Sequence, residues 1–262
     1  MSRLPEVHIL PNETAAAAEV AAFLSRTITT TLQTQPLFRL VLSGGSTPRT
    51  LYRTLAATPW ASHIPWPRMQ FWFGDERAVP PDHAESNYAA AASALFGPLG
   101  IPDGQIFRMH GEWEPEEASR DYESRVRKTL LNEPPTIPTF DTILLGLGED
   151  GHTASLFPNS PALAEQTRLI VPSVSPVGTA KRMTMTYPVL NHARIVLFLV
   201  TGAKKAAIVK RILEQAGGDP PLPAARIRPT NGQLLWYLDD AAAAHLTSDR
   251  PGRSGHEEET QL

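Results

Sequence analysis

An α/β fold, a mostly parallel sheet with helices on both faces, follows from three features of the sequence. Short apolar runs of strand length alternate with segments of helical pattern, the signature of a parallel sheet covered by crossover helices. Clusters of glycine, hydroxyl and charged residues stand directly after several apolar runs, where ligands bind in sheets of this kind. The chain also has the material for a sizeable core: 262 residues, 42% of them hydrophobic and 19% charged.

Asn12 is placed to cap a helix over Ala15–Thr30, whose alanines favour helix while Thr29, Thr30 and Thr31 weaken its end. Leu37–Leu42 is a strand. Pro48 then stands just inside a helix over Pro48–Ala57, with Thr47 as its expected N-cap. Met69–Phe73 is another strand, followed by a long loop and a helix around Asn87–Leu95. Glu116–Leu131 is a polar, amphipathic helix, and Phe140–Leu145 an apolar strand that ends at Gly146 and Gly148. Leu169–Val174 and Arg194–Val200 are further strands, and Ala203–Gln215 is a helix ended by Gly217 and Gly218. Prolines 134, 135 and 138, and again 220, 221 and 223, mark connectors. One α/β domain over residues 1–246 is expected, with 247–262, small and polar, as a disordered tail.

Composition narrows the chemistry. The absence of cysteine removes disulfides, thiolate nucleophiles, iron–sulfur clusters and Cys-type zinc sites. A net charge of -3 argues against a surface built for nucleic acid. The most apolar runs are too short to span a bilayer, and the N-terminus has no signal-peptide pattern, so a cytoplasmic protein is expected. No segment identifies an apolar association surface, which favours a monomer.

Three constellations carry the chemical argument. Ser43-Gly44-Gly45-Ser46-Thr47-Pro48 lies between a strand and a helix. Its glycines let the backbone approach an anion, helix-start N–H groups point toward it, and three hydroxyls add donors. The same residues also read as a tight turn, but the hydroxyl-flanked Gly-Gly pair favours a phosphate site. Without the Gly-Lys-Ser/Thr element of a nucleotide loop, that site suits a small phosphorylated metabolite. Gly74-Asp75-Glu76-Arg77 is either a solvated loop or a guanidinium held by adjacent carboxylates for an oxyanion. Ser86-Asn87-Tyr88 caps the next helix and offers polar contacts.

Gly146-Leu147-Gly148-Glu149-Asp150-Gly151-His152-Thr153 contains a formal G-x-G-x-x-G. A dinucleotide site is rejected, because the next strand ends in Val-Pro-Ser rather than in a ribose-binding acid. The loop instead delivers Asp150 and His152 to the sheet edge, making His152 the leading general-base candidate. Metal ligation is disfavoured, since no second histidine lies four residues on. Lys181-Arg182, Lys204-Lys205, Arg226 and Arg228 fall near strand ends and can focus positive potential there. Lys205 and Lys210 are expected on the outer surface of their helix.

Together SGGSTPRTLY, FWFGDERAVPPDHAESNY, LLGLGEDGHTASLFP and RMTMTYPVLNHA followed by VTGAKKAAI resemble the glucosamine-6-phosphate isomerase/6-phosphogluconolactonase family, and its lactonase branch in particular. The resemblance covers most of the chain from Leu37 onward. It implies a modified Rossmann-like fold and hydrolysis of 6-phosphogluconolactone to 6-phosphogluconate, the second step of the oxidative pentose phosphate pathway. It also implies a phosphorylated sugar lactone as substrate and no required organic cofactor; no metal, nucleic acid or membrane partner is expected. On that resemblance His152 would be the base for water attack, with Asp75 and Asp150 orienting groups. Arg77, Arg182 and Lys204 would bind phosphate and stabilise developing charge beside Ser43, Gly44, Gly45, Ser46, Thr47 and Asn87. Gly148 and Gly151 would line the site, and a backbone N–H from the Gly146–Gly151 loop would serve as oxyanion donor. The deaminase branch carries an acid after the histidine and Asp-Glu-Tyr in the earlier motif. Here Thr153–Pro158 has no acid and Arg77 replaces the tyrosine, and both departures favour the lactonase. Ser155 is not in a nucleophile elbow, which disfavours a serine hydrolase. A non-catalytic sugar-phosphate sensor is the alternative that would not need His152.

Overall fold

The computed structural model describes residues 4–130, 137–214 and 221–247. The central sheet has six strands, all parallel: β1 (Glu6–Leu10), β2 (Phe38–Leu42), β3 (Met69–Phe73), β5 (Thr142–Leu145), β8 (Ile195–Val200) and β9 (Gln233–Asp239), in spatial order β1-β9-β8-β5-β2-β3. A second sheet is antiparallel, with β7 (Lys181–Met185) between β4 (Asp75–Arg77) and β6 (Ile170–Val174). Among the described residues no helix is long and apolar enough to cross a membrane.

Alternation along the parallel strands builds two cores, one on each face. On β8, Val196, Phe198 and Val200 join one cluster while Leu197 and Leu199 join the other. Trp72 on β3 and Trp236 on β9 face the first cluster, and Phe71, Phe73, Leu235 and Tyr237 face the second. Each such side chain contributes roughly 1.5–3 kcal/mol by leaving water. A sheet buried on both faces gives near-continuous apolar runs, the pattern that made these strands legible.

Helix α1 (Glu13–Thr31) starts where Asn12 accepts from the Ala15 amide at 2.9 Å, and buries Ala17, Val20, Ala21, Leu24 and Ile28 along one stripe. Helix α2 (Ser46–Leu55) begins one residue before Thr47, not after it. Gly45, at φ 114°, is the residue before the helix, and no side chain caps it. The Thr47 hydroxyl instead meets that of Thr201 at 2.8 Å, since a left-handed glycine turns the chain without a cap. Helix α3 (Asn87–Ala91) continues as a π-helical turn, Ala92–Phe96. Helix α4 (Pro115–Leu130) packs beside the antiparallel sheet, and helix α5 (Ala206–Glu214) follows β8 through a 3₁₀ turn.

Five strands depart from the sequence reading, β7 among them because no strand was placed over Lys181–Met185. β6 forms, but in the antiparallel sheet rather than among the parallel strands. The Asp75–Arg77 loop is the short strand β4, paired with β7, so Arg77 stands opposite Arg182 and Asp75 opposite Thr184. β1 and β9 complete the far edge of the parallel sheet, where the sequence reading placed no strands. The expected end of the second long helix at Leu131, the Gly217-Gly218 stop and the polar tail beyond Thr247 lie outside the described residues.

Candidate functional site

A cavity of about 240 Å³ opens beyond the carboxyl ends of β2, β3, β5 and β8. It gathers the Ser43–Thr47 turn, Asp75, Arg77, Asn87, Gly148, His152 and Arg182 from four segments far apart in sequence. The antiparallel sheet is the device that supplies Asp75, Arg77 and Arg182 from one side.

Burial of the turn between β2 and α2 fixes its shape. The Tyr52 hydroxyl donates to the Ser43 carbonyl at 2.6 Å and accepts from the Ser43 amide at 3.0 Å. Full burial raises the Tyr52 phenol above its ordinary value despite those bonds, so it acts as a neutral strut. Gly44 must lack a side chain: a Cβ there would lie 1.7 Å from Asn87 Oδ1. Asn87 in turn donates from Nδ2 to the Asp75 carbonyl at 2.9 Å and to its carboxylate at 3.1 Å. The other Asp75 oxygen accepts from the Ser155 hydroxyl at 2.6 Å, and Ser155 is fully buried. Ser43 Oγ, Arg77 Nε and Asn87 Oδ1 are buried without protein partners, an unusual concentration around one cavity.

The loop after β5 presents the histidine. His152 Nδ1 lies 2.6 Å from Asp150 Oδ1, and the same oxygen accepts from the His152 amide at 3.1 Å. A carboxylate at Nδ1 holds the proton there and leaves the Nε2 lone pair for a base. Burial pushes the Asp150 carboxyl up, but the hydrogen bonds and charge of His152 outweigh it and hold it below its ordinary value. Gly148 makes room for this pair, since a Cβ there would lie 2.0 Å from His152 Nδ1. The Gly148 amide donates to the His152 carbonyl at 2.8 Å and the Gly151 amide to the Gly148 carbonyl at 3.1 Å. Closing the tight turn therefore engages these two amides, so an oxyanion donor from the Gly146–Gly151 loop has to be another of its N–H groups. Gly151, at φ 84°, turns the chain away from the cavity against Leu222.

The cations divide differently from the sequence reading. Arg77 and Arg182 both line the cavity, and among the described residues neither has a carboxylate at ion-pair distance. Glu76 does not clamp the Arg77 guanidinium: it accepts from the Arg77 amide, while Nη1 donates to the Glu85 carbonyl. Arg182 is 8% exposed and donates from Nε to the Thr179 carbonyl at 2.7 Å. Burial first, and then the facing Arg77 charge, lower it from the ordinary arginine value. An anion between them relieves both costs.

Lys204 is exposed and does not line the cavity, whereas Lys205 does. Burial lowers the Lys205 ammonium from its ordinary value against the opposing pull of Glu149 and Asp150. The signal was present in the sequence. Lys205 heads the stripe continued by Ile208, Val209 and Ile212, all buried, whereas Lys204 heads the exposed stripe of Ala207 and Arg211. Arg226 lies over the Tyr187 ring at 4.4 Å and Arg228 donates to the Ala225 carbonyl, and neither lines the cavity. Thr201 and Ser155 were not singled out for binding. Nothing local marks either, because Thr201 arrives from β8 and Ser155 acts through its contact with a residue 80 positions away.

A family model described as glucosamine-6-phosphate isomerases/6-phosphogluconolactonase matches residues 11–236. The 6-phosphogluconolactonase of Homo sapiens is 46% identical over 212 residues, 80% of this chain and 81% of its own length. That of Nostoc sp. is 36% identical over 242 residues, 92% of this chain and 98% of its own. The solved structure of 6-phosphogluconolactonase from Trypanosoma cruzi superposes with a TM-score of 0.82 at 30% identity, covering 94% of this chain and 98% of that one. With a fold, a cavity at the strand ends and a sequence match in agreement, this chain belongs to the glucosamine-6-phosphate isomerase/6-phosphogluconolactonase family.

Proposed function

We propose that this chain hydrolyses 6-phospho-D-glucono-1,5-lactone to 6-phospho-D-gluconate, the lactonase step of the oxidative pentose phosphate pathway. The observation that carries the reading is His152, held by Asp150, lining one cavity with the Gly44-Gly45 turn and three cationic side chains. The lactonases among the relatives agree with it.

In this mechanism His152 Nε2 takes a proton from water as the water oxygen adds to the lactone carbonyl. Asp150 holds the imidazole by its Nδ1–H and stabilises the imidazolium. The tetrahedral intermediate then collapses, the bond from carbon to ring oxygen breaks, and His152 returns its proton to the departing alkoxide. Arg77, Arg182 and Lys205 bind the phosphate and stabilise charge on the carbonyl oxygen, with the Ser43–Thr47 turn adding backbone and hydroxyl donors. Lys205 takes the place first given to Lys204. A lactone of this type opens spontaneously at a useful rate, so one base and a preorganised cationic wall supply the modest reduction in barrier required.

The deaminase reaction of the same family lacks its acid here: no carboxylate stands between Thr153 and Pro158, and Asp150 is the carboxylate on His152. Purified protein offered fresh lactone, with the spontaneous rate subtracted, should accelerate hydrolysis and release no ammonia from glucosamine-6-phosphate. Ammonia release without lactone hydrolysis would overturn the assignment. Binding of 6-phosphogluconate with neither reaction would favour a sensor.

A further inference from the structure

A buried carboxylate with no cation beside it is costly, and Glu76 is one. It is 2% exposed, and among the described residues no lysine, arginine or histidine lies within ion-pair distance of it. Such a group persists when several donors replace its water. Glu76 Oε1 accepts from the amides of Arg77 at 2.8 Å and Asn87 at 2.7 Å. Oε2 accepts from the Tyr88 amide at 2.8 Å and the Ser86 hydroxyl at 3.1 Å. Ser86 Oγ itself accepts from the Ala89 amide at 3.1 Å, which leaves its proton for Glu76. Three amide donors and one hydroxyl surround the carboxyl, an arrangement that favours its ionised form against the cost of burial.

We propose that Glu76 is a positioning residue of the site, a buried carboxylate that ties β4 to the start of α3 and so sets Arg77 and Asn87 toward the substrate. The inference rests on the lactonase reading of the cavity. A plain helix-capping role does not account for the contacts, because Ser86 already caps α3 through Ala89 and the Arg77 amide lies in a strand. One oxygen, Oε1, joins the two cavity-lining residues across the intervening loop, and that bridge is its distinctive feature. Burial raises the Glu76 carboxyl above its ordinary value, against the pull of the three amides, consistent with a charge kept for geometry rather than for stability.

Glu76→Gln preserves shape but turns an NH₂ toward two donors, and Glu76→Asp preserves charge but withdraws it by one methylene. The experiment measures kcat and KM for the lactone, 6-phosphogluconate affinity by calorimetry and the urea midpoint, in each variant alone and combined with Arg77→Ala or Asn87→Ala. A folded Glu76→Gln protein should show KM and product Kd raised by about tenfold, and less than about threefold further loss when Arg77 or Asn87 is already truncated, the non-additivity of groups acting as a unit. Glu76→Asp carries the same cycle if the glutamine variant does not fold. A lowered midpoint with kcat and KM unchanged overturns the proposal, and so do losses that multiply in full. If the wild type neither hydrolyses the lactone nor binds 6-phosphogluconate, the lactonase reading fails instead. The cycle is then read with inorganic phosphate, and full multiplication there, or no phosphate binding by the wild type, overturns the positioning role as well.

Discussion

Gly44→Ala isolates the close approach of the anion turn to Asn87. The backbone at Gly44 is not in the left-handed region, so alanine brings no conformational strain, only a methyl group 1.7 Å from Asn87 Oδ1 and 2.4 Å from its Cγ. The amide must swing away, which breaks its two hydrogen bonds to Asp75. Losing two bonds at about 0.5–1.5 kcal/mol each, with some overpacking, gives a destabilisation of roughly 2–4 kcal/mol. That is less than the roughly 5–15 kcal/mol stability of an ordinary domain, so the variant should fold. Activity should suffer more, because a wall residue displaced by about 1 Å costs on the order of 10²-fold in rate. The assays are the urea midpoint and lactone hydrolysis corrected for the spontaneous rate. Gly104→Ala, where a Cβ meets nothing within 4 Å, is the control and should leave both unchanged. Adding Asn87→Ala to Gly44→Ala should recover only the overpacking share of the stability, since the two bonds to Asp75 stay lost, and should not recover activity. A Gly44→Ala protein with wild-type midpoint and full kcat/KM would refute the reasoning.

Other changes test single links. Lys205→Ala should lower kcat/KM on the phosphorylated lactone by at least about tenfold, while Lys204→Ala stays within about twofold, since a charge at an open surface contributes little; equal effects contradict the placement of the two lysines. The Asp150 carboxyl lies below its ordinary value, so its bonded, ionised state is present above that value and is lost only as pH falls through the lowered one. Asp150→Asn removes the carboxylate held 2.6 Å from His152 Nδ1 and should reduce kcat, and an unchanged kcat would contradict the pairing. Ser155→Ala removes the hydroxyl on Asp75 and should cost about 1–3 kcal/mol in a urea melt with reduced but measurable turnover. Trapping of a covalent Ser155 ester would contradict that role.

The fold was legible where burial on two faces leaves an unbroken apolar run, as in β2, β3, β5 and β8. It was less so at the edges. β1 pairs on one side only, leaves Glu6 exposed and half-buries the polar His8 against Tyr237, so its pattern is weak. β9 runs Leu-Leu-Trp-Tyr-Leu with no period and leads straight into a turn of helix at Asp240–Ala243, so helix and strand read alike. β7 carries Lys181 and Arg182 on a short strand whose partners lie about 10 and 100 positions away, beyond any local signal. At the site, glycine and hydroxyl spacing pointed to the Ser43–Thr47 turn and the loop after β5 pointed to His152, and both line the cavity. Which of two adjacent lysines turns inward depended on the helical stripe. Which amides were already engaged depended on loop closure. Neither is visible in residue type.

The central claim is that His152 activates water in a cavity built for a phosphorylated lactone. Its most direct test is hydrolysis of freshly made 6-phosphogluconolactone by wild type and by His152→Ala, with far-UV circular dichroism and urea midpoints on both. The account predicts acceleration by the wild type and a loss of about 10²–10⁴-fold in the folded variant, the contribution of a positioned general base. A folded His152→Ala protein that hydrolyses the lactone at the wild-type rate would contradict it.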